Sequence, residues 1–462
     1  MAINTRRSTH LRDDSDRDGL VLTPDSPGYD AARSVWNGMV DHHPALIFRC
    51  ASIDNVVAAI RTARERDLEV GVRCGGHNIA GLAVPHGGLM IDLTRLDAVT
   101  VDPTTRRARV QGGAMLGTLD RASQRFGLAT TAGNVSHTGV GGLTLGGGMG
   151  WLARQCGLTC DNVVSCTVVT ADGELVRASA DEHPDLFWGL RGGGGNFGVV
   201  VEFELRLHPV GTRAVVEELT FPLDRAAGPF RRWRDLSEQA PRQATFTAEI
   251  AGDTVSLGCV WVGHPGPGRP GPPALRSIGE PTDEAVDEIS YLALQTRDDD
   301  SEAHAYRRYW KGHYLPELTD AAIDALLDRD PTDPTAAAVS LQAYGGAIAD
   351  VPEDATAFSH RRTRFEYVAA AKWTDPDEDG GRMSAARAMA GKLDPFASGA
   401  YVNALSDEGA GGVRRAYPDR QRARLTAVKD TYDPENVFHL NHNIVPSGHG
   451  QGATPCDGTS TD

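Results

Sequence analysis

The stretch Gly139–Leu152, GVGGLTLGGGMGWL, constrains this chain more than any other, because seven of its first twelve residues are glycine. Inside regular elements each glycine costs roughly 0.5–1 kcal/mol relative to alanine. A chain carries that cost where backbone must approach something closely; a succession of tight turns is the bland alternative. RCGGHN (73–78) and RGGGGNFGVV (191–200) repeat the pattern in the same half. Three such loops predict one long ligand wrapped by backbone N–H groups, which can turn inward where no Cβ intervenes. RCGGHN follows a predicted strand, 68–73, and sets His77 at the edge of that ligand. His77 is then a loop histidine bonded to backbone, a base, or a group bonded to the ligand itself.

Familiar phosphate loops do not fit. A dinucleotide fingerprint needs a strand before the glycines, a helix after them and an acid about 20 residues on. Asp161 falls near that distance, but GNVSHT makes a poor strand, and no GxxxxGK[ST] run occurs. The net charge of −16 argues against a nucleic-acid partner. Positive charge is carried almost wholly by arginine, with lysine only at Lys311, Lys372, Lys392 and Lys429. A salt-adapted and a GC-rich source both account for the acidic bias. No apolar run is long enough for a membrane span, and Arg6-Arg7 lacks the apolar stretch of an export signal. The expectation is a cytoplasmic protein, monomer or homodimer, with no membrane partner. Cys156 and Cys160 lie four apart with no second Cys or His pair at zinc spacing, so free buried thiols are expected and no structural metal.

The 462-residue length predicts more than one domain. Ser52 can cap a helix with Ile53, Val56, Val57 and Ile60 on one face. LMIDL (89–93) reads as a strand. Hairpins are expected at 99–101 with 108–110 and at 166–170 with 174–177, and a helix over 115–126. VVVEFELRL (199–207) alternates as a strand does. Beyond residue 210 the pattern predicts strands on either side of Gly252-Asp253, a loop over 264–273, helices near 301–310 and 320–327, strands at 339–344 and 364–371, and a helix over 383–391. The expected organisation is a flexible arm (1–34), a cofactor domain (35–210), a substrate domain (211–399), a C-terminal segment returning to the cofactor domain (400–446) and a disordered tail (447–462).

Four motifs in order carry a resemblance: RCGGHN (73–78), TAGNVSHTGVGGLTLGGGMGWLARQCGLTCDNVVSCTVVTADGELV (131–176), HPDLFWGLRGGGGNFGVVVEFELRLHP (183–209) and YDPENVFHLNHNIVP (432–446). Together they resemble the berberine-bridge-enzyme-like FAD-linked oxidases of the vanillyl-alcohol-oxidase (p-cresol methylhydroxylase) superfamily. The resemblance implies an α+β fold: a PCMH-type FAD-binding domain of two α+β subdomains, and a substrate domain with an antiparallel sheet backed by helices. It implies FAD held by Arg73, Cys74, Gly75, Gly76, His77 and Asn78, by Gly133, Thr138, Gly139, Gly142, Gly146, Gly148 and Gly150, by Asn196, Gly198 and Val200, and by Asn441 and Asn443. His77 matches the histidine that relatives bond to the flavin 8α-methyl. Val135 stands where several relatives carry a second, cysteinyl linkage, so attachment through His77 alone is expected, as in the mono-covalent bacterial branch that is 6-hydroxy-D-nicotine oxidase-like.

The same resemblance implies hydride transfer from an alcohol or amine carbon of a small-molecule substrate to FAD, with dioxygen as acceptor. Val140, between Gly139 and Gly141, is a candidate for controlling oxygen access to the flavin edge. A dehydrogenase with another acceptor and a catalytically silent flavin scaffold are the alternatives. In RFEYVAAAKW, period-two alternation puts Arg364, Glu366 and Val368 on one face and Phe365, Tyr367 and Ala369 on the other. Glu366 matches a glutamate that some relatives use as a base; an outward, solvated glutamate is the other reading. Ala404 stands where relatives have a catalytic tyrosine, which leaves Tyr401, Tyr344 and Gln342 as candidate pocket groups beside Glu366.

Overall fold

The computed structural model describes residues 20–263 and 271–449. Most of the expected flexible arm, most of the 264–273 loop and nearly all of the expected tail lie outside the described residues.

Two sheets build the first half. One is four-stranded, in the order Val21–Leu22, Leu46–Arg49, Leu89–Asp92, Val70–Arg73. Its last three strands run parallel. Helix Ile53–Glu65 crosses between the first two of these in sequence and starts where Ser52 Oγ accepts the Asn55 N–H at 3.3 Å. That bond satisfies one of the amides a helix start leaves unpaired. Val56, Ala59, Ile60 and Ala63 are buried on the side facing the sheet. Strand Val70–Arg73 therefore delivers the RCGGHN loop from its C-terminal end, the end at which open α/β sheets place ligands. The second sheet is antiparallel, in the order Val99–Asp102, Arg107–Gln111, Val199–Arg206, Val163–Val169, Leu175–Ser179. Both expected hairpins are in it.

Residues 20–34 depart from the expected arm. Val21–Leu22 pairs with Ile47 and Phe48, and Tyr29, in helix Tyr29–Arg33, donates to the Pro44 carbonyl at 2.7 Å. Burial of Leu22 and Tyr29 anchors a segment whose charged surroundings read as solvated.

A seven-stranded antiparallel sheet fills the second half, in the order Asp283–Ser290, Arg213–Pro222, Thr254–Val262, Ala244–Ala251, Ala338–Ala343, Phe365–Trp373, Arg307–Leu315. Helices Ala227–Gln239, Asp320–Leu327 and Asp379–Gly391 back it. The helix expected near 301–310 is not formed: from Arg307 the chain is a strand paired over nine residues with Phe365–Trp373. Local helix propensity in SEAHAY loses to that non-local pairing and to burial of Tyr309 and Tyr314. Strands Arg213–Pro222 and Asp283–Ser290 escaped the pattern. The second is an acidic, mostly exposed edge strand, a composition that blunts an edge rather than announcing a core.

Phe365, Tyr367 and Ala369 join the core under the helices, while Val368 packs against the core of the first half. The sheet thus turns the Glu366–Val368 face toward the glycine-rich loops.

Candidate active site

The loops after Val70–Arg73, around 133–149 and at 194–200, the seven-stranded sheet and the segment 438–442 enclose a cavity of about 470 Å³. Of the expected cofactor residues, Cys74, Gly75, Gly76, His77, Asn78, Gly133, Thr138, Gly139, Gly142, Asn196, Gly198, Val200 and Asn441 line it. Glu366, Tyr401 and Gln342 line it from the sheet side. Val135 and Ala404, the two positions of departure from the family pattern, are on the wall as well.

Other expected residues do not reach the cavity. Arg73 donates to the Ala32 carbonyl, away from the site, because the folded segment 29–33 offers an acceptor there. Gly146, Gly148 and Gly150 serve packing: a Cβ would come within 2.0 Å of Asn403 Oδ1, 2.2 Å of Thr159 Oγ1 and 1.6 Å of the Ala132 carbonyl oxygen, respectively. Asn443 lies beyond the wall, with its side-chain oxygen buried and unpartnered. Val140 is fully buried in the first-half core and is absent from the wall.

The glycines at the wall do two jobs. Gly75 and Gly139 let two loops touch: a Cβ on either would lie 2.3 Å from a backbone nitrogen of the other. Gly142 and Gly195 instead face open space, with nothing within 4 Å of the position a Cβ would take. Unpartnered buried polar atoms point the same way, among them Asn134 Oδ1, Gln342 Nε2, Asn441 Oδ1 and His442 Nε2 on the wall. Buried polar groups in native proteins nearly always have partners. A large polar ligand laid along these loops satisfies them, which fits FAD. Among the described residues no Arg or Lys side chain is on the wall, so backbone N–H groups would have to meet a pyrophosphate.

His77 is stacked on Trp36, ring centroids 5.0 Å apart. Its Nε2 lies 2.7 Å from His137 Nδ1, and its Nδ1 lies 3.3 Å from Thr138 Oγ1. Burial first, then the neighbouring histidines and Arg308, press the His77 pKa down to about 2, so the ring is neutral. Trp36, His137 and His304 were not legible in the sequence; none lies at a spacing that marks it.

Glu366 sits opposite Gln342 in the strand register and accepts a hydrogen bond from the Tyr344 hydroxyl at 2.7 Å. Tyr344 itself stands behind the wall. Burial raises the Glu366 pKa to about 7, against the opposing pull of the Tyr344 bond. A carboxylate that titrates there can take a proton at neutral pH. The Tyr401 hydroxyl accepts from the Gly148 N–H at 2.8 Å and from Asn403 Nδ2 at 2.9 Å, which ties the sheet side to the glycine loop. Burial raises the pKa of Tyr401, so it is no base at neutral pH.

The C-terminal segment is held by Lys429, fully buried, which donates to the Asn196 carbonyl at 2.8 Å, Asp433 Oδ2 at 2.7 Å and the Phe438 carbonyl at 2.8 Å. Asn196 Oδ1 in turn accepts the Ile444 N–H at 2.9 Å.

Comparison with known proteins agrees with this construction. Residues 44–179 match the FAD binding domain family and residues 400–445 the berberine and berberine-like family. The chain is 32% identical over 453 residues to (R)-6-hydroxynicotine oxidase of Paenarthrobacter nicotinovorans, covering 93% of this chain and 97% of that one. It is 30% identical over 436 residues to an FAD-linked oxidoreductase of Dictyostelium discoideum, covering 93% and 95%. The crystal structure of 6-hydroxy-D-nicotine oxidase from Arthrobacter nicotinovorans superposes with a TM-score of 0.82 at 28% identity, covering 94% of this chain and 99% of that one. A grass pollen allergen with glucose dehydrogenase activity shares the fold, with a TM-score of 0.82 at 24% identity and coverage of 93% and 97%. The chain belongs to the berberine-bridge-like family of FAD-linked oxidoreductases.

Proposed function

We propose that this enzyme is an oxidase that takes hydride from an alcohol or amine carbon of a small organic substrate, with FAD bonded to the protein through His77 and dioxygen as the acceptor. We place it in the cytoplasm, as a monomer or homodimer. No helix among the described residues is long and apolar enough to cross a membrane.

The observation that carries the reading is that Glu366, with its pKa near 7, and the neutral His77 open onto one cavity. FAD, when bound, supplies the two-electron acceptor for hydride and hands the electrons to dioxygen, giving hydrogen peroxide. Glu366 takes the proton from the substrate O–H or N–H as the adjoining C–H gives up hydride. Tyr344 holds the Glu366 carboxylate by donating to Oε2, and Gln342 Nε2, unpartnered on the same wall, is available to a substrate oxygen or nitrogen lone pair. Tyr401 fixes the floor through Gly148 and Asn403 rather than moving protons. Ala404 leaves room on the wall where relatives have a tyrosine, which leaves Glu366 as the proton acceptor.

A peroxide-release screen of alcohols, amines, amino-alcohols and sugars on the purified yellow protein tests the activity. Substrates that bleach the flavin anaerobically but release no peroxide in air replace dioxygen with another acceptor. Absence of bleaching by every compound class removes the oxidase reading. The linkage is tested separately by intact mass after denaturation: the parent carries an FAD-sized excess and His77→Ala does not.

A further inference from the structure

Two more imidazoles converge on His77. One nitrogen from each of His77, His137 and His304 lies within 4.8 Å of the other two. The ring centroids are 4.8 Å apart for His77 and His137, 5.4 Å for His137 and His304 and 5.9 Å for His77 and His304. His137 and His304 are not part of the cavity wall. The three rings come from three separate loops, so no local turn geometry brings them together.

We propose that His77, His137 and His304 form a binding site for a single divalent transition-metal ion of the zinc class, adjoining the flavin cavity.

The donor set fits. Neutral imidazole is a preferred ligand of zinc, and three histidines leaving one position open is a familiar arrangement for it. Two ligands at about 2.05 Å around a tetrahedral ion stand roughly 3.3 Å apart. The His77–His137 contact of 2.7 Å reaches that separation by opening about 0.6 Å. Among the described residues the histidine–carboxylate pairs are those of His43, His313 and His439, and none involves these three rings. Arg308 lies nearby, but its charge is balanced by Glu302, 3.5 Å away. His304 is exposed and gives an ion a way in.

The site does not depend on the flavin linkage. Nδ1 of His77 faces Thr138 on the cavity wall while Nε2 faces His137, so a bond at one nitrogen leaves the other.

The test uses tag-free full-length holoenzyme, stripped with a chelator and titrated with Zn²⁺ by calorimetry, with retained zinc measured after dialysis. The expected result is one zinc per chain, with affinity falling about tenfold or more in His304→Ala and in His137→Ala. The surface histidines His42, His43 and His86, a separate group of neighbouring imidazoles, supply the control: His86→Ala leaves the affinity as it was. No retained zinc in the parent overturns the proposal, as does binding that survives both His137→Ala and His304→Ala or is lost with His86→Ala. His304 is on an exposed loop, so its replacement keeps the fold, and intact mass reports the flavin linkage independently of zinc.

Discussion

Arg361 and Asp161 form a two-pronged ion pair, Nη1 to Oδ2 at 2.8 Å and Nη2 to Oδ1 at 2.7 Å, buried on both sides. Asp161 Oδ2 also accepts the Leu158 N–H at 2.9 Å. The acid that falls at fingerprint distance from the glycine cluster is thus a structural tie between the two halves of the chain, 200 residues apart in sequence. Removing one partner leaves the other charge buried alone. Asp161→Ala or Arg361→Ala is expected to cost about 3–5 kcal/mol, and the double replacement less than the sum. Urea unfolding of the two single variants and the double variant checks this.

Glu366 sets the expected pH profile. Its carboxyl is held up near 7 by burial, and the base form is the carboxylate, so the rate of anaerobic flavin bleaching should rise with pH through about 7. Glu366→Gln should lower that rate about 10²–10⁴-fold and abolish the rise. Tyr344→Phe removes the hydrogen bond that pulls the Glu366 pKa down, so its profile should shift to higher pH with the fold intact. Stopped-flow reduction across pH reads all three.

Two neighbouring glycines should fail in different ways. A Cβ on Gly139 would sit 2.3 Å from Cys74 Sγ and from the Gly75 nitrogen, so Gly139→Ala must push two loops apart, at about 1–3 kcal/mol. Gly142→Leu meets no protein atom at Cβ but projects into the cavity, and should keep parental stability while losing bound FAD. Thermal unfolding together with the flavin-to-protein absorbance ratio separates the two outcomes.

Asp120 should make stability depend on pH. It is buried between helices Leu116–Gln124 and Tyr291–Gln295, accepts from Gln295 Nε2 at 3.1 Å, and burial pushes its pKa up to about 7 from 3.8. The unfolded chain releases this proton near pH 4 and the folded chain near pH 7. The contribution is therefore complete below about pH 4 and lost as pH rises through 7, at up to about 1.4 kcal/mol per pH unit. Asp120→Asn should flatten that slope, measured as urea midpoints from about pH 5 to pH 8.

Sequence alone determined the ligand class and much of the local structure. Clustered glycines limit what a loop can be for, and period-two alternation put Glu366 and Val368 on one face of their strand, where the structure has them. The hairpins and the Ser52 cap were legible because a turn or a cap is set by a few adjacent residues. Tertiary structure decided the rest. Alternation names two faces but not which one meets the cavity; that follows from helix Asp379–Gly391 and its neighbours covering the other. Strand Arg307–Leu315 exists because Phe365–Trp373 is there to pair with it, and Arg73 turns from the cavity because Ala32 offers a carbonyl. Trp36, His137 and His304 meet His77 only after distant loops have folded together. Spacing along a chain carries local hydrogen bonding and side-chain direction, whereas which distant partner satisfies a buried group is settled by how the layers pack.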